Sequence, residues 1–209
     1  MIRIEFKAVS QSFHGRKIFG PLDLTLQGGN IIAITGRNGS GKSTFLKLAG
    51  HLLLPVQGKV RVLCGEKELA QAELRRRISM VTPELKFYDR LTARENLDFF
   101  LGLRGLALDA AQYAALWERV GLSMDSTAAS LVGEFSTGMR QRLKLAVLLA
   151  GRADIWLLDE PGANLDEAGR SMVLTEARLA AQDGKLVLLA TNDPGEEAAA
   201  DVCIPLEEN

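Results

Sequence analysis

The sequence has 209 residues, of which 47% are hydrophobic, and its 25 basic and 26 acidic residues give a formal net charge of −1. A chain of this length forms one large domain, or one domain with a subdomain. The balanced charge argues against a general electrostatic attraction to nucleic acid or to anionic lipid. We therefore expect no nucleic-acid partner.

The two cysteines and the amino terminus indicate the compartment. Cys64 and Cys203 lie in apolar, strand-like stretches, and we interpret them as reduced core thiols of a cytoplasmic protein. The first ten residues, MIRIEFKAVS, alternate as in a strand and lack the pattern of a secretory signal. No run approaches the roughly 18 apolar residues that a membrane span needs. We expect a soluble protein that reaches a membrane only through a partner.

The apolar pattern predicts antiparallel strands first, and then an alternation of strands and helices. Residues 1–26 alternate apolar and polar, with predicted turns at His14-Gly15 and Gly20-Pro21. Continuous apolar runs predict further strands at 30–35, 58–65, 78–82, 154–159 and 185–191, and 201–206 has the pattern of a short edge strand.

Helical periods follow the first buried strand and dominate from about 86 to 152. They predict helices at 41–52, 92–105, 109–121, 136–152 and 166–182. Thr92 and Glu95 form a capping-box pattern, Asp109 is a predicted N-cap, and Gly121 is a predicted stop. This order indicates a single α/β domain over 1–209, whose parallel core is interrupted by a helical subdomain at about 86–152.

Residues 36–44, GRNGSGKST, match the pattern G-x-x-x-x-G-K-[ST] between a predicted buried strand and a predicted helix. Glycines let backbone N–H groups wrap a β-phosphate, and the helix N-terminus adds partial positive charge. Lys42 then reaches the β- and γ-phosphate oxygens, and Ser43 offers a hydroxyl to Mg²⁺. The predicted nucleotide-binding residues of this loop are Gly36, Arg37, Asn38, Gly39, Ser40, Gly41, Lys42, Ser43 and Thr44.

A second motif, DIWLLDEP, places two carboxylates at the end of an apolar strand. Asp159 ends the predicted strand, where it can hold the Mg²⁺ shell through water. Glu160 stands one residue further on and is the predicted base that orients and deprotonates an attacking water. The sequence therefore predicts both metal binding and hydrolysis at this strand tip.

Residues 133–166, GEFSTGMRQRLKLAVLLAGRADIWLLDEPGANLD, resemble the signature motif, Walker B motif and D-loop of ATP-binding cassette (ABC) ATPases in their order and spacing. The segment QSFHGRKIFGPLDLTLQGG resembles the family's N-terminal β-subdomain, so the resemblance covers essentially the whole chain. It implies a P-loop NTPase fold with a RecA-like parallel-sheet core, an N-terminal antiparallel β-subdomain and a helical insert. It also implies that the nucleotide is ATP.

The resemblance assigns a role to an aromatic residue and to the signature. Phe13 takes the place of the aromatic that stacks on adenine, with His14 as the alternative. Family members pair head to tail, as homodimers or heterodimers, and hold ATP between the phosphate loop of one subunit and the signature of the other. The implied trans-signature and interface residues are Ser136, Thr137, Gly138, Met139 and Asp166, with Met139 in place of the family's glutamine.

Two positions depart from the family pattern. Pro83 stands where the family carries a glutamine after a core strand, and proline neither ligates Mg²⁺ nor hydrogen-bonds water. Glu84, one residue along, is either a substitute oxygen ligand or a solvated loop glutamate. Asn192 replaces the switch histidine, and its amide still donates to phosphate but carries no titratable charge. Losing one preorganised contact commonly costs on the order of 10²–10³ in rate, so with Glu160 intact we expect slow but real hydrolysis.

The resemblance implies the nucleotide-binding subunit of an ABC transporter, held by a permease at the inner face of the cell membrane. Residues 83–103 would line the permease groove, with Phe87, Tyr88, Phe99 and Phe100 either exposed there or packed internally. One alternative is a non-transport ABC ATPase acting on DNA or ribosomes. Another is a degenerate cassette in a heterodimer. The short cassette resembles both haem-exporter subunits of cytochrome c maturation and drug or lipid exporters.

Overall fold

The computed structural model describes residues 1–123, 127 and 130–206, and they form two compact units. The first unit comprises 1–80, 154–160 and the residues from 176 onward; the second comprises 81–153 and 161–175. The strands are β1 (Ile2–Phe13), β2 (Arg16–Gln27), β3 (Ile31–Thr35), β4 (Gln57–Cys64), β5 (Lys67–Glu68), β6 (Ile78–Val81), β7 (Ile155–Asp159), β8 (Leu186–Ala190) and β9 (Val202–Pro205). The helices are α1 (Lys42–Ala49), α2 (Gln71–Arg77), α3 (Ala93–Gly102), α4 (Ala110–Arg119), α5 (Thr137–Ala150), α6 (Glu167–Gln182) and α7 (Pro194–Ala198).

The amino-terminal strands form an antiparallel sheet in the order β2-β1-β4-β5. The predicted turn at His14-Gly15 joins β1 to β2, but the predicted turn at Gly20-Pro21 is wrong. Those two residues lie within β2, where its register with β1 shifts. Gly20 has a φ of 110°, and a Cβ there would lie 2.4 Å from the carbonyl oxygen of Val9. Glycine thus lets β2 bulge against β1 without ending the strand.

The second sheet has the order β6-β7-β8-β3-β9, and the pairs β7–β8, β8–β3 and β3–β9 are parallel. All residues of β7 and β8 are buried, as their continuous apolar runs predict. Because parallel strands end at the same edge, the loop after β3, the tip of β7 and the tip of β8 share one edge of the sheet. Ligands of open α/β sheets bind outside this edge.

Helix α1 anchors the loop that precedes it. Phe45, Leu46 and Leu48 of this helix are fully buried, and the Phe45 ring stacks on Phe6 of β1 with 4.6 Å between centroids. Burying one such side chain contributes roughly 1.5–3 kcal/mol. The core that these residues share with both sheets therefore fixes where α1 begins, and with it the phosphate loop.

Helices α3, α4 and α5 build the second unit around buried apolar side chains that include Leu97, Trp117 and Leu143. The predicted capping box is confirmed. Thr92 Oγ1 accepts from the backbone N–H of Glu95 at 3.2 Å, and the Thr92 N–H donates to the Glu95 carboxylate at 2.8 Å. Among the described residues, no helix is both long and apolar enough to cross a membrane.

Both cysteines are free, but only one is partly buried. Cys64 lies in β4 and is half-buried, whereas Cys203 in β9 is exposed. The prediction that Cys203 is a core thiol is therefore wrong. The reason is that β9 is the last strand in the described sheet, next to β3, and its side chains are mostly uncovered there. An apolar run at an edge strand does not guarantee burial.

Candidate active site

The phosphate loop needs glycine at its two ends. Gly36 follows β3 with a φ of 140°, and a Cβ there would lie 2.6 Å from the carbonyl oxygen of Leu206. Gly41 precedes α1 with a φ of 99°, and a Cβ there would lie 2.4 Å from a methyl carbon of Ile18. Any side chain at either position would clash, so these glycines set the course of the loop. Within it, the buried Ser40 hydroxyl has no hydrogen-bond partner among the residues that the structure describes.

Lys42, the first residue of α1, bends its ammonium back over the loop. Its Nζ donates to the carbonyl oxygens of Gly36 at 2.7 Å and Arg37 at 3.1 Å. Burial lowers the pKa of Lys42, and the carboxylates of Glu160 and Asp159 partly offset this by raising it. The lysine is therefore a buried cation whose charge is stabilised by two carboxylates at the tip of β7.

Asn192 is a partner of that lysine. Its Oδ1 accepts a third hydrogen bond from Lys42 Nζ at 2.7 Å, and its Nδ2 donates to Asn38 Oδ1 on the far side of the loop. The neighbouring Thr191 accepts from the N–H of Asp193, and Asp193 caps α7 by accepting from the N–H groups of that helix's first turn. The tip of β8 is thus braced from both sides, and the amide of Asn192 bridges the lysine and the loop.

The predicted carboxylate pair stands at the tip of β7. Asp159 is the last residue of this strand and is buried, whereas the side chain of Glu160 is exposed. Glu160 has a φ of 49°, in the left-handed region that non-glycine residues seldom adopt. Its backbone N–H donates to the carbonyl oxygen of Ala190 at 2.9 Å. Backbone outliers of this kind cluster at functional sites, where surrounding structure holds them in place.

A cleft of about 330 Å³ collects most of these residues. Its lining consists of Phe13, Ile18, Asn38, Gly39, Gly41, Lys42, Ser43, Thr44 and Glu160. Phe13 is 43% exposed, so it is not an ordinary core residue of its strand. Ile18, which the sequence did not single out, also lines the cleft, and it packs against Gly41 of the phosphate loop. The predicted residues Gly36, Arg37, Ser40, Asp159 and Asn192 lie outside this lining.

The signature residues lie in the second unit, at the start of α5. Ser136 caps this helix, and its Oγ accepts from the N–H of Met139 at 3.2 Å. Thr137 is exposed. A Cβ on Gly138 would lie 3.1 Å from the carbonyl oxygen of Asn164, which leaves little room for a side chain. Glycine therefore lets the loop that carries Asn164 approach the first turn of α5 closely.

The loop between β7 and α6 is tied to α5 by two contacts within the second unit. The Asp166 carboxylate accepts from Arg142 Nη2 at 2.8 Å and from the N–H of Gly169 at 3.0 Å. Nearer the strand, Gln141 Nε2 donates to the carbonyl oxygen of Pro161 at 2.7 Å. Neither Arg142 nor Gln141 was singled out from the sequence. They fix the loop that carries Asp166.

A comparison with known protein families agrees with the sequence motifs and with the geometry of the site. A family model described as ABC transporter matches residues 19–163. The chain belongs to the ABC transporter family. With its phosphate loop and carboxylate pair, this cassette is an ABC-type ATP hydrolase. Phe13 and Asn192 lie outside the matched segment.

Two curated relatives and one solved structure are similar over most of their length. The cytochrome c biogenesis ATP-binding export protein of Nitrobacter hamburgensis is 34% identical and covers 91% of this cassette and 92% of its own chain. The thiamine import ATP-binding protein of Shigella flexneri is 38% identical over 84% of this cassette and 75% of its own chain. A dimeric cassette of a bacterial ABC transporter has a TM-score of 0.83 at 25% identity and covers 98% of this cassette and 94% of that chain.

The protein supplies few ligands for a metal on its own. Within the described ranges, no group of three or more His, Cys, Asp or Glu side chains is placed to hold a metal ion. Mg²⁺ in nucleotide sites usually takes only one or two protein oxygens, and the rest come from water and phosphate. The hydroxyl of Ser43 and the carboxylate of Asp159 are oxygens of the kind that Mg²⁺ prefers, so the donor set fits a metal that arrives with a nucleotide.

Proposed function

We propose that this cassette binds and hydrolyses Mg²⁺-ATP to drive a separate membrane permease. The observation that carries the proposal is one cleft that is lined by the phosphate loop, Lys42, Glu160 and the apolar side chains of Phe13 and Ile18. Adenine would stack on Phe13, and the phosphates would lie against the loop. Ser43 and Asp159 would hold Mg²⁺, which neutralises phosphate charge when bound.

In this proposal, Glu160 performs the proton transfer and Lys42 the charge stabilisation. The Glu160 carboxylate, exposed at the tip of β7, accepts the proton of the attacking water. Lys42 moves its hydrogen bonds from loop carbonyls to phosphate oxygens, because an anion is a stronger acceptor for an ammonium group. Asn192 already hydrogen-bonds Lys42, so its amide is within reach of the group that the lysine binds.

We infer that hydrolysis is slower than a complete set of family residues would give. Pro83 has no side-chain donor or acceptor at the glutamine position, and Asn192 has an amide where the family carries histidine. Glu160 is retained, so the reaction is weakened and not abolished. The alternative is a cassette that hydrolyses ATP only when a second, different cassette completes its site. Measuring ATP turnover and dimerisation of the purified chain distinguishes the two cases.

Exposed aromatic side chains support a permease partner. Tyr88 and Phe99 are 52% and 40% exposed, and their rings meet edge to face at 5.1 Å. Phe100 continues the row, in contact with both Phe99 and the buried Phe87. Two of the four aromatics thus pack internally or partly so, and two offer an apolar surface to a partner. We propose that a coupling segment of the permease binds there and holds the cassette at the inner face of the membrane.

A cassette dimer is the second assembly in the proposal. Ser136, Thr137, Gly138 and Met139 would contact the γ-phosphate bound by the partner subunit, and the loop with Asp166 would lie at the dimer interface. The similar solved cassette is described as dimeric. ATP would stabilise the closed dimer, and hydrolysis would release it.

The function is tested by ATP hydrolysis of the purified chain, with its mass measured by light scattering with and without Mg²⁺-ATP. We expect measurable turnover and a dimer that forms only with ATP. Tight ATP binding without turnover and without dimerisation would contradict a self-sufficient motor and favour the heterodimer. Co-purification with nucleic acid or ribosomes would instead favour the non-transport alternative.

We expect Asn192→His to raise turnover about tenfold, because a histidine restores the preorganised contact that asparagine supplies only in part. Asn192→Ala is the matched control and should lower turnover, since it removes the amide that bridges Lys42 and Asn38. The measurement is kcat at saturating ATP. Equal turnover in the wild type and Asn192→His would show that the amide is not what limits the rate.

A further inference from the structure

A buried lysine in α5 holds the segment that carries Pro83. Lys144 is only 8% exposed, and its Nζ donates to the carbonyl oxygens of Thr82 at 2.8 Å and Pro83 at 3.3 Å. Burial lowers the pKa of Lys144, and no charged group contributes to that shift. In the described part of the chain, this ammonium forms no ion pair with a carboxylate.

Burying an ammonium without a counter-ion is unfavourable unless its protons are hydrogen-bonded. Here the bonded acceptors are two consecutive carbonyls of one loop, so the lysine acts on the backbone of that loop. A methionine of similar length would fill the same space without the desolvation penalty. A lysine at this position therefore stabilises the loop through its hydrogen bonds, whereas the desolvation of its charge opposes that stabilisation.

The segment that Lys144 contacts is a compact turn. The N–H of Leu85 donates to the carbonyl oxygen of Thr82 at 3.2 Å and to its Oγ1 at 3.1 Å, so residues 82–85 close on themselves. The Thr82 carbonyl thus accepts from both Leu85 and Lys144. Pro83 contributes a fixed φ and no N–H of its own. Lys144 joins this turn to the helix that begins at the signature, two helical turns after Ser136.

We propose that Lys144 is a positioning residue for ATP hydrolysis, which fixes the backbone of the turn 82–85 to the signature helix. The anchor determines where the exposed Glu84 stands relative to α5. This inference rests on the proposed function, because it assumes that the turn takes part in hydrolysis.

The test compares three variants of the full chain. Lys144→Met keeps the length of the side chain and removes its charge, and Lys144→Arg keeps a cation with donors. Lys86→Met is the matched control, because it removes the same charge from an exposed lysine three residues after Pro83. Turnover is expressed per nucleotide-binding site, counted with a fluorescent ATP analogue, so that loss of folded protein does not register as loss of rate.

We expect Lys144→Met to lower kcat on the order of tenfold, the effect of losing a charge-assisted hydrogen bond, with KM for ATP within about twofold of wild type. Lys144→Arg should recover most of the rate, and Lys86→Met should not change it. Hydrogen exchange of the peptide that contains Leu85 should speed up by on the order of tenfold in Lys144→Met alone, because the turn opens more often.

The two readouts separate the anchor from the function. Unchanged exchange at Leu85 in Lys144→Met would overturn the anchor, whatever the rates. Faster exchange with unchanged kcat per site, or a Lys144→Arg variant as slow as Lys144→Met, would overturn the positioning role. A wild type without any hydrolysis would contradict the proposed function, while the exchange experiment would still test the anchor.

Discussion

Glu160→Gln is expected to lower ATP hydrolysis by on the order of 10²–10⁴, the usual contribution of a general base. Glutamine has nearly the shape of glutamate, and within the described part of the chain the exposed Glu160 side chain makes no hydrogen bond that the change would break. The backbone bond from residue 160 to Ala190 is independent of the side chain. The variant should therefore fold normally and bind ATP at least as tightly, because one negative charge near the phosphates is removed. The measurement is steady-state turnover beside equilibrium ATP binding.

The same variant should also form a longer-lived ATP-dependent dimer, since hydrolysis no longer releases it. Light scattering after removal of free ATP would detect this dimer. Glu197→Gln is the matched control, because it removes the same charge from an exposed glutamate in α7 that does not line the cleft. If Glu160→Gln turned over ATP at the wild-type rate, Glu160 would not be the base and the proposed mechanism would be wrong.

The phosphate loop could be predicted from the sequence because the conformation of its residues depends on local chemistry. Gly36 and Gly41 are needed for positive φ and close contacts, and the buried strand before them is a continuous apolar run. The capped helices α3 and α4 were predictable for the same reason, since Thr92 and Asp109 act on N–H groups three residues away. Local chemistry of this kind needs no knowledge of the rest of the fold.

Elements with weak patterns were not predicted. Helix α2 has only seven residues and three consecutive arginines, and α7 has five residues capped by Asp193. Strand β5 has two residues and exists only through pairing with β4. These segments are too short to show an apolar period, so packing and pairing with neighbouring strands determine their secondary structure.

Contacts between residues that lie far apart in the chain could not be predicted from the sequence either. Lys42 and Asn192 are 150 residues apart, and only the order of strands in the sheet brings them together. Lys144 reads as one more polar position in an amphipathic helix, and nothing in its neighbours along the chain indicates the carbonyls that it contacts 61 and 62 residues earlier. Ile18 was missed because an alternating strand does not show which face meets a ligand.

Lys42→Met is expected to weaken ATP binding by on the order of 10²-fold and to remove measurable turnover. A hydrogen bond to a charged group contributes about 1.5–3 kcal/mol, and the ammonium is the cation that the structure places over the phosphate loop. The apo protein should change much less in stability. Removing the buried charge relieves the desolvation that lowers the pKa of Lys42, while three acceptors on Gly36, Arg37 and Asn192 lose a donor.

Thermal unfolding with and without Mg²⁺-ATP separates these two effects. ATP at 100 times its Kd stabilises the wild type by about 2.7 kcal/mol. In Lys42→Met the same ATP concentration is about equal to the weakened Kd, so the increment should fall to about 0.4 kcal/mol. Lys47→Met is the matched control, because it removes a lysine from the same helix that does not line the cleft, and it should keep the increment. If Lys42→Met retained the full increment, the phosphates would have to bind elsewhere. The network of Lys42, Asn192 and Asn38 would then be structural.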